Sequence, residues 1–184
     1  MNKKIFICFS LFFFMSIPIP SVSGGNPVET GEILEEFVFQ APDIQKDNDY
    51  LGLAEEDSFL LKDLDADFFL IEVVGAYCPV CHAQSAEVNH LFNRISKDEV
   101  LKERMIMFSI VPGSTTMEIE HLRNSWKAPY PMLEDYEYDF HGHIGNPDTP
   151  YTIIVSKDGR VLYAHLGRIL ELNEFMEKIN KIIE

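Results

Sequence analysis

The sequence predicts an α/β domain in which a mixed β-sheet is covered by helices on both faces. Apolar runs and helical periodicity alternate along the chain in the order β, α, β, α, β-hairpin, α. A crossover between parallel strands followed by an antiparallel hairpin produces a mixed sheet of this kind. Two cysteines, Cys78 and Cys81, stand where the first long strand gives way to the first long helix.

The predicted core begins at Phe68. Residues 68–74 are apolar except for Glu72 and stop at Gly75, which is typical of a central strand covered on both faces. A helix is expected after the cysteines, with Pro79 in its first turn. Its apolar residues recur with helical spacing: Val88, Leu91, Phe92 and Ile95.

The second half of the chain has equally regular signals. The capping box of Thr115 and Glu118 predicts the start of a helix. The other predicted elements are strands 105–111 and 130–133, the helix 115–126, a hairpin formed by 151–156 and 160–166, and a C-terminal helix from 172 to 183. Residues 50–53 and 58–61 suggest a small hairpin, or a strand followed by a helical turn at 61–64, and 134–143 give no clear prediction.

The N-terminus resembles a secretory signal peptide. Two lysines precede the apolar run 5–19, and small residues follow it up to Ser23, where cleavage is expected. A second interpretation is an uncleaved membrane anchor, although the run is shorter than a spanning helix needs. We therefore divide the chain into a signal peptide or anchor (1–23), an N-terminal approach segment (24–49) and one domain (50–184), located in the periplasm or secreted.

Composition limits the classes of partner. The chain has 184 residues and a formal net charge of −15, from 15 basic and 30 acidic residues. Such an acidic protein repels phosphate backbones, so nucleic-acid binding is not expected. After removal of residues 1–23 only two cysteines remain. A single close pair is too little for a disulfide scaffold in a domain of this size, and it therefore indicates chemistry.

The hexapeptide from Tyr77 to His82, Tyr-Cys-Pro-Val-Cys-His, predicts a redox dithiol. At a helix start, free N–H groups and the helix dipole stabilise a thiolate on the first sulfur. Cys78 is then the attacking thiolate, and Cys81 resolves the mixed disulfide with a partner. His82 either tunes Cys78 or is a plain surface residue.

Glu72 is the candidate proton carrier. A carboxyl on an otherwise apolar strand is costly to bury and should have a raised pKa. Beneath the dithiol it could accept the proton of Cys81 during resolution. The alternative is a solvated side chain at a strand edge.

The dipeptide Thr149-Pro150 directly precedes a strong strand. A cis bond there would turn the Thr149 backbone towards the dithiol, where it could pair with a substrate chain. From local sequence alone an ordinary trans proline is favoured, because only about 5–6% of X-Pro bonds are cis.

The chain resembles the thioredoxin superfamily, and more closely its exported TlpA/ResA-type branch. The resemblance extends from about Ser58 to the C-terminus and rests on three segments: FLIEVVGAYCPVC (69–81), TPYTIIV (149–155) and SKDGRVLYAHLG (156–167). It implies a thioredoxin-like fold with a redox dithiol at the start of the first long helix. Tyr77 stands where this family commonly has tryptophan.

The resemblance also implies roles for individual residues. Cys78 and Cys81 form the redox-active disulfide, no other cofactor is expected, and Pro150 is cis and faces the dithiol. Together with Tyr77, Pro79 and Thr149, this proline shapes the active site. The implied activity is that of a thiol:disulfide oxidoreductase. Its partners would be disulfide-containing exported proteins and a membrane electron donor, and a monomer is expected.

The residue between the cysteines bears on the direction of electron flow. Oxidising DsbA-type relatives have histidine between the cysteines, whereas Val80 here offers no stabilisation of a thiolate. The sequence therefore favours a reductant.

Two other functions remain open. The sequence Cys78-Pro-Val-Cys81-His82 also satisfies the pattern for c-type haem attachment. His141 and His143 could join the cysteines in a copper or zinc site. The protein would then be a redox-silent module with the same fold that binds a metal or a partner and resembles copper chaperones.

Overall fold

The computed structural model describes residues 26–54 and 56–184. The predicted signal peptide or anchor lies outside these residues. No helix in the described part of the chain is long and apolar enough to cross a membrane.

A five-stranded sheet forms the centre of the protein. The strands, in chain order, are β1 (Phe39–Gln40), β2 (Ser58–Phe59), β3 (Phe68–Val73), β4 (Met105–Pro112), β5 (Met132–Asp135), β6 (Tyr151–Ser156) and β7 (Val161–Leu166). The order within the central sheet is β5-β4-β3-β6-β7. Strands β3, β4 and β5 are parallel, while β6 and β7 are antiparallel to their neighbours. The predicted mixed sheet is therefore confirmed.

Within the described residues, six α-helices accompany the sheet: α1 (Gln45–Leu51), α2 (Pro79–Ile95), α3 (Leu101–Arg104), α4 (Thr116–Trp126), α5 (Asp139–His143) and α6 (Leu172–Ile183). A 3₁₀ turn covers Leu61–Asp63. Side chains of α2, α4 and α6 pack on one face of the sheet, against Leu70 and Met107. The capping box predicted from Thr115 and Glu118 is present at the start of α4.

The other face of the sheet is covered by the N-terminal segment and α5. Leu34, Phe39 and Leu51 are buried there with strand residues such as Ile71. The boundary drawn between residues 49 and 50 stays a prediction, and α1 runs across it.

One short segment near this face differs from the expectation, and for a second segment there was no clear expectation. Tyr50 to Leu53 was expected to be extended, but Tyr50 and Leu51 end α1, and β2 pairs with β1 instead. The Met107 N–H on β4 donates to the Tyr50 hydroxyl oxygen at 3.0 Å, which fixes the end of α1 against the sheet. The segment 134–143, which gave no clear prediction, forms α5 because the buried Asp135 carboxylate accepts the first helical N–H groups.

Candidate active site

The two cysteines lie at the start of α2, just beyond the carboxyl end of β3. Cys78 is the N-cap residue and Pro79 is the first residue of the helix, where its missing N–H costs nothing. The Cys81 N–H donates to Cys78 Sγ at 3.2 Å. Both thiols are free; Cys81 is 2% exposed, whereas Cys78 is partly accessible. The first sulfur can therefore meet a partner, and the second lies behind it.

The environment lowers the pKa of the Cys78 thiol. Partial burial acts to raise this pKa, but hydrogen bonds from the Cys81 thiol, Thr149 and the N–H groups of Cys81 and Val80 outweigh it. These N–H groups belong to the first turn of α2, whose positive dipole end favours an anion. Cys78 is thus the more acidic thiol.

The pKa of Cys81 moves in the opposite direction, to about 12. Burial is the largest cause, and the hydrogen bond with the Cys78 thiol adds to it. A buried thiol next to a thiolate keeps its proton, because a second negative charge would be neither hydrated nor paired. Cys81 therefore needs a proton acceptor before it can act as a nucleophile.

Glu72 is completely buried in the middle of β3. Its neighbours across the sheet are Ser109 on β4 and Thr152 on β6. The Thr152 hydroxyl donates to Glu72 Oε1 at 2.8 Å. Burial nevertheless raises the pKa of the carboxyl to about 7, against the lowering effect of this bond. The alternative of a solvated edge residue is wrong, since strands flank β3 on both sides.

Gln84 connects this acid with the helix that carries the dithiol. Its Nε2 donates to Glu72 Oε2 at 3.4 Å, and its Oε1 accepts the Ile169 N–H at 2.8 Å. Gln84 is buried and lies one turn after Cys81 on α2. Sequence reasoning missed this residue. A polar side chain three residues after a buried cysteine, on the apolar face of the helix, was the available signal.

The peptide bond between Thr149 and Pro150 is cis, as the resemblance implied. The Cys78 thiol donates to the Thr149 carbonyl oxygen at 3.4 Å. Gly75 is close to both: a Cβ on it would lie 3.2 Å from Cys78 Cβ and 3.2 Å from Thr149 Oγ1. The loop before Cys78 thus packs against the proline loop, and the smallest residue stands at the contact.

Tyr77 and His82 flank the dithiol. Tyr77 is 81% exposed, and its hydroxyl donates to Glu118 Oε1 at the start of α4. This bond and those from Thr115 lower the pKa of Glu118 to about 2. His82 accepts the indole N–H of Trp126 at Nδ1 (2.9 Å), and its Nε2 is 2.9 Å from the Ala76 carbonyl oxygen. Sequence reasoning missed this contact between Trp126 and His82.

Known proteins resemble this chain over most of its length. The thiol-disulfide oxidoreductase ResA of Halalkalibacterium halodurans is 20% identical over 127 residues, which cover 68% of this chain and 69% of ResA. The thioredoxin domain of a Bacteroides vulgatus thiol-disulfide oxidoreductase superposes with a TM-score of 0.62 at 14% identity, covering 83% of this chain and 98% of that domain. The chain has the thioredoxin fold. No family model matches the sequence.

A further solved structure with the thioredoxin fold extends the comparison. A secreted Mycobacterium tuberculosis disulfide oxidoreductase has a TM-score of 0.58 at 12% identity, covering 79% of this chain and 95% of that protein. The thioredoxin-like fold that the three sequence segments implied is thereby confirmed.

The two histidines of the alternative metal site, His141 and His143, both lie in α5. His141 Nε2 is 2.8 Å from the Pro147 carbonyl oxygen, and His143 Nε2 is 3.0 Å from the Glu35 carbonyl oxygen. Among residues 26–54 and 56–184, no three His, Cys, Asp or Glu side chains are arranged to hold a metal ion. The structure therefore does not bring these histidines together with the cysteines.

Proposed function

We propose that the protein is an exported thiol:disulfide oxidoreductase that reduces disulfides in other exported proteins. The observation that carries the proposal is the unequal placement of two neighbouring thiols: Cys78 is partly accessible at the start of α2 and accepts the Cys81 N–H, whereas Cys81 is buried behind it. This placement lowers the pKa of Cys78 and raises that of Cys81. A structural pair of buried cysteines would not need this asymmetry. A nucleophile and a resolving thiol do.

The reaction would proceed in two exchanges. The Cys78 thiolate attacks one sulfur of the partner disulfide, so that a mixed disulfide forms and the second partner sulfur leaves as a thiolate. Cys81 then loses its proton and attacks Cys78 Sγ, which forms the Cys78–Cys81 disulfide and releases the first partner sulfur. Two electrons pass from the dithiol to the partner.

Glu72 would accept the proton of Cys81 in the second exchange. A group with a pKa of about 7 can take up and release a proton near neutral pH. Glu72 points to the face of the sheet on which α2 packs, and its carboxylate is bonded to Gln84 on that helix. Its hydrogen-bond partners are Thr152 and Gln84, so the transfer would require Cys81 or a water molecule to approach the carboxylate.

A partner would dock at the edge of the sheet where the parallel strands end. Exposed apolar side chains border the dithiol there: Tyr77 is 81%, Val80 44% and Met117 79% exposed. Such side chains favour contact with a polypeptide over water. On the opposite side of Cys78, Thr149 and Pro150 would align the substrate chain.

The reductant direction rests on Val80, which cannot stabilise the reduced form as the histidine of DsbA-type oxidants does. Export rests on the N-terminal residues 1–23, with a periplasmic or secreted location. An exported reductant also needs a membrane electron donor. We infer that the domain acts as a monomer and uses only the Cys78–Cys81 disulfide as its redox group.

Reduction of insulin disulfides tests the proposal. Cys78→Ser should abolish the activity of the purified mature protein, because the thiolate is lost, while Ser96→Ala, at the far end of α2, should leave it intact. Insulin reduction by the Cys78→Ser variant at the wild-type rate would refute the catalytic assignment.

The reduction potential of the Cys78–Cys81 pair tests the direction. Equilibration with glutathione or dithiothreitol should give a value near that of thioredoxin, about −270 mV. A value near that of DsbA, about −120 mV, would make the protein an oxidant. The absorption spectrum of the same sample would show an attached haem as a Soret band.

A further inference from the structure

Both ring nitrogens of His82 are engaged in hydrogen bonds. The Trp126 indole N–H lies 2.9 Å from His82 Nδ1, and the Ala76 carbonyl oxygen lies 2.9 Å from His82 Nε2. An indole N–H can only donate, so Nδ1 must carry a lone pair. The proton of the neutral ring is then on Nε2, which donates to the carbonyl. The two partners together select one neutral tautomer.

These bonds connect the dithiol loop to the packed end of α4. Trp126 is the last residue of α4 and is 8% exposed, in the same core cluster as Cys81. Its carbonyl oxygen also accepts a hydrogen bond from Asn89 on α2, at 2.8 Å. Trp126 is therefore held from two sides. At the other end of the connection, Ala76 lies only two residues before Cys78.

The position of this loop matters for the thiolate. Cys78 Sγ accepts the Cys81 N–H of the first turn of α2 at 3.2 Å, and such hydrogen bonds weaken steeply as distance and angle change. The Cys78 N–H itself donates to the Gly75 carbonyl at 3.1 Å, so the loop and the sulfur move together. A loop released at Ala76 would sample positions in which Sγ is no longer aligned with the helix start.

We propose that His82 is a positioning residue for Cys78, which holds the loop through Ala76 against the indole of Trp126. The bridge keeps the sulfur aligned with the first turn of α2. Its consequence for disulfide exchange rests on the proposed function, whereas its effect on the acidity of Cys78 needs no partner protein.

Alkylation of the reduced protein by iodoacetamide measures this effect directly, since the thiolate is the reacting species. His82→Phe retains a ring beside Trp126 but removes both hydrogen bonds. It should slow alkylation of Cys78 at neutral pH by about three- to ten-fold, the range expected for loss of the one hydrogen bond that holds the loop at Ala76. The midpoint of the alkylation rate against pH should rise. His90→Phe, an exposed histidine two turns further along α2, is the matched control and should leave both unchanged.

Trp126→Phe tests the second half of the bridge. It removes the indole N–H and should slow alkylation in the same direction, and the double variant with His82→Phe should be no slower than His82→Phe alone. Full additivity of the two effects would overturn the proposal, as would a His82→Phe rate equal to that of His90→Phe. If Trp126→Phe does not fold, the comparison of the two histidine variants decides alone.

The indole itself supplies an independent spectroscopic signal. The chain contains one tryptophan, so the protein has one indole N–H resonance. In the wild type it should be protected from exchange with solvent, and in His82→Phe this protection should fall. Equal protection in both proteins would overturn the bridge. If the wild type fails to reduce insulin while His82→Phe still slows alkylation, the proposed function fails and the positioning role stands.

Discussion

Replacing Glu72 by glutamine should remove a pH-dependent loss of stability. The carboxyl is fully buried, and burial raises its pKa from the ordinary 4.5 to about 7 despite the bond from Thr152. At about 1.4 kcal/mol per unit of pKa, this shift corresponds to about 3 kcal/mol lost when the carboxyl is ionised in the folded protein. Glutamine can keep bonds to both Thr152 and Gln84, so little packing should be lost.

The direction of the pH effect follows from which state holds the proton. Between pH 4.5 and about 7 the folded protein retains the Glu72 proton and the unfolded chain releases it. The free energy of unfolding therefore falls as pH rises through this window. Below pH 4.5 the Glu72 carboxyl is protonated in both states, so the folded protein loses no stability. Above about pH 7 it is ionised in both states, and the full cost of the buried charge lowers the free energy of unfolding. Glutamine does not titrate, so the variant lacks this component.

Urea unfolding at pH 5 and pH 8 measures the effect. The free energy of unfolding of Glu72→Gln minus that of the wild type should be more positive at pH 8 than at pH 5 by about 2–3 kcal/mol. Glu137→Gln, at an exposed glutamate, should show no such change. An equal Glu72→Gln difference at both pH values would refute the reasoning from burial.

The same variant should be a poor oxidoreductase. Without a proton acceptor for Cys81, insulin reduction at pH 7 should fall by about a hundred-fold, the lower end of the range for general base catalysis. An undiminished rate would leave Glu72 as a structural residue.

Three further predictions follow from contacts around the site. Cys81→Ala should trap the mixed disulfide of Cys78 with a partner, visible as a mass increase on non-reducing gels, because the resolving thiol is missing. Gly75→Ala should slow insulin reduction and lower the free energy of unfolding by about 1–3 kcal/mol in urea, because the added Cβ would lie 3.2 Å from Cys78 Cβ. Asp47→Asn should cost about 3 kcal/mol of unfolding free energy, because it leaves the Arg123 charge, 2.5 Å from the buried carboxylate, without its partner.

Each of these variants has a matched control. Cys78→Ser should trap nothing under the same conditions. Gly142→Ala adds a Cβ that meets no atom within 4 Å, and Asp49→Asn changes an exposed carboxylate on the same helix as Asp47. Gly75→Ala with wild-type activity would contradict the close contact at the dithiol. If Asp47→Asn is as stable as Asp49→Asn, the buried ion pair of Asp47 does not contribute the expected free energy of unfolding.

Local sequence was sufficient for the elements that carry the dithiol. The apolar run of β3, the helical spacing in α2 and the capping box of α4 act over three to seven residues, and each occurs where the pattern predicted it. The chemical interpretation was equally local, because it rested on two thiols spaced by two residues at a predicted helix start.

Other features depend on residues that are distant in sequence. The cis state of Pro150 was favoured only by the resemblance, and the register that buries Glu72 depends on both neighbouring strands. The bonds from Gln84 to Ile169 and from Trp126 to His82 join residues 85 and 44 positions apart. Periodicity shows which face of a helix is apolar but not which polar atom will meet another across the core. Only the packing of the sheet against α2 and α4 determined those contacts, and with them the environment of each thiol.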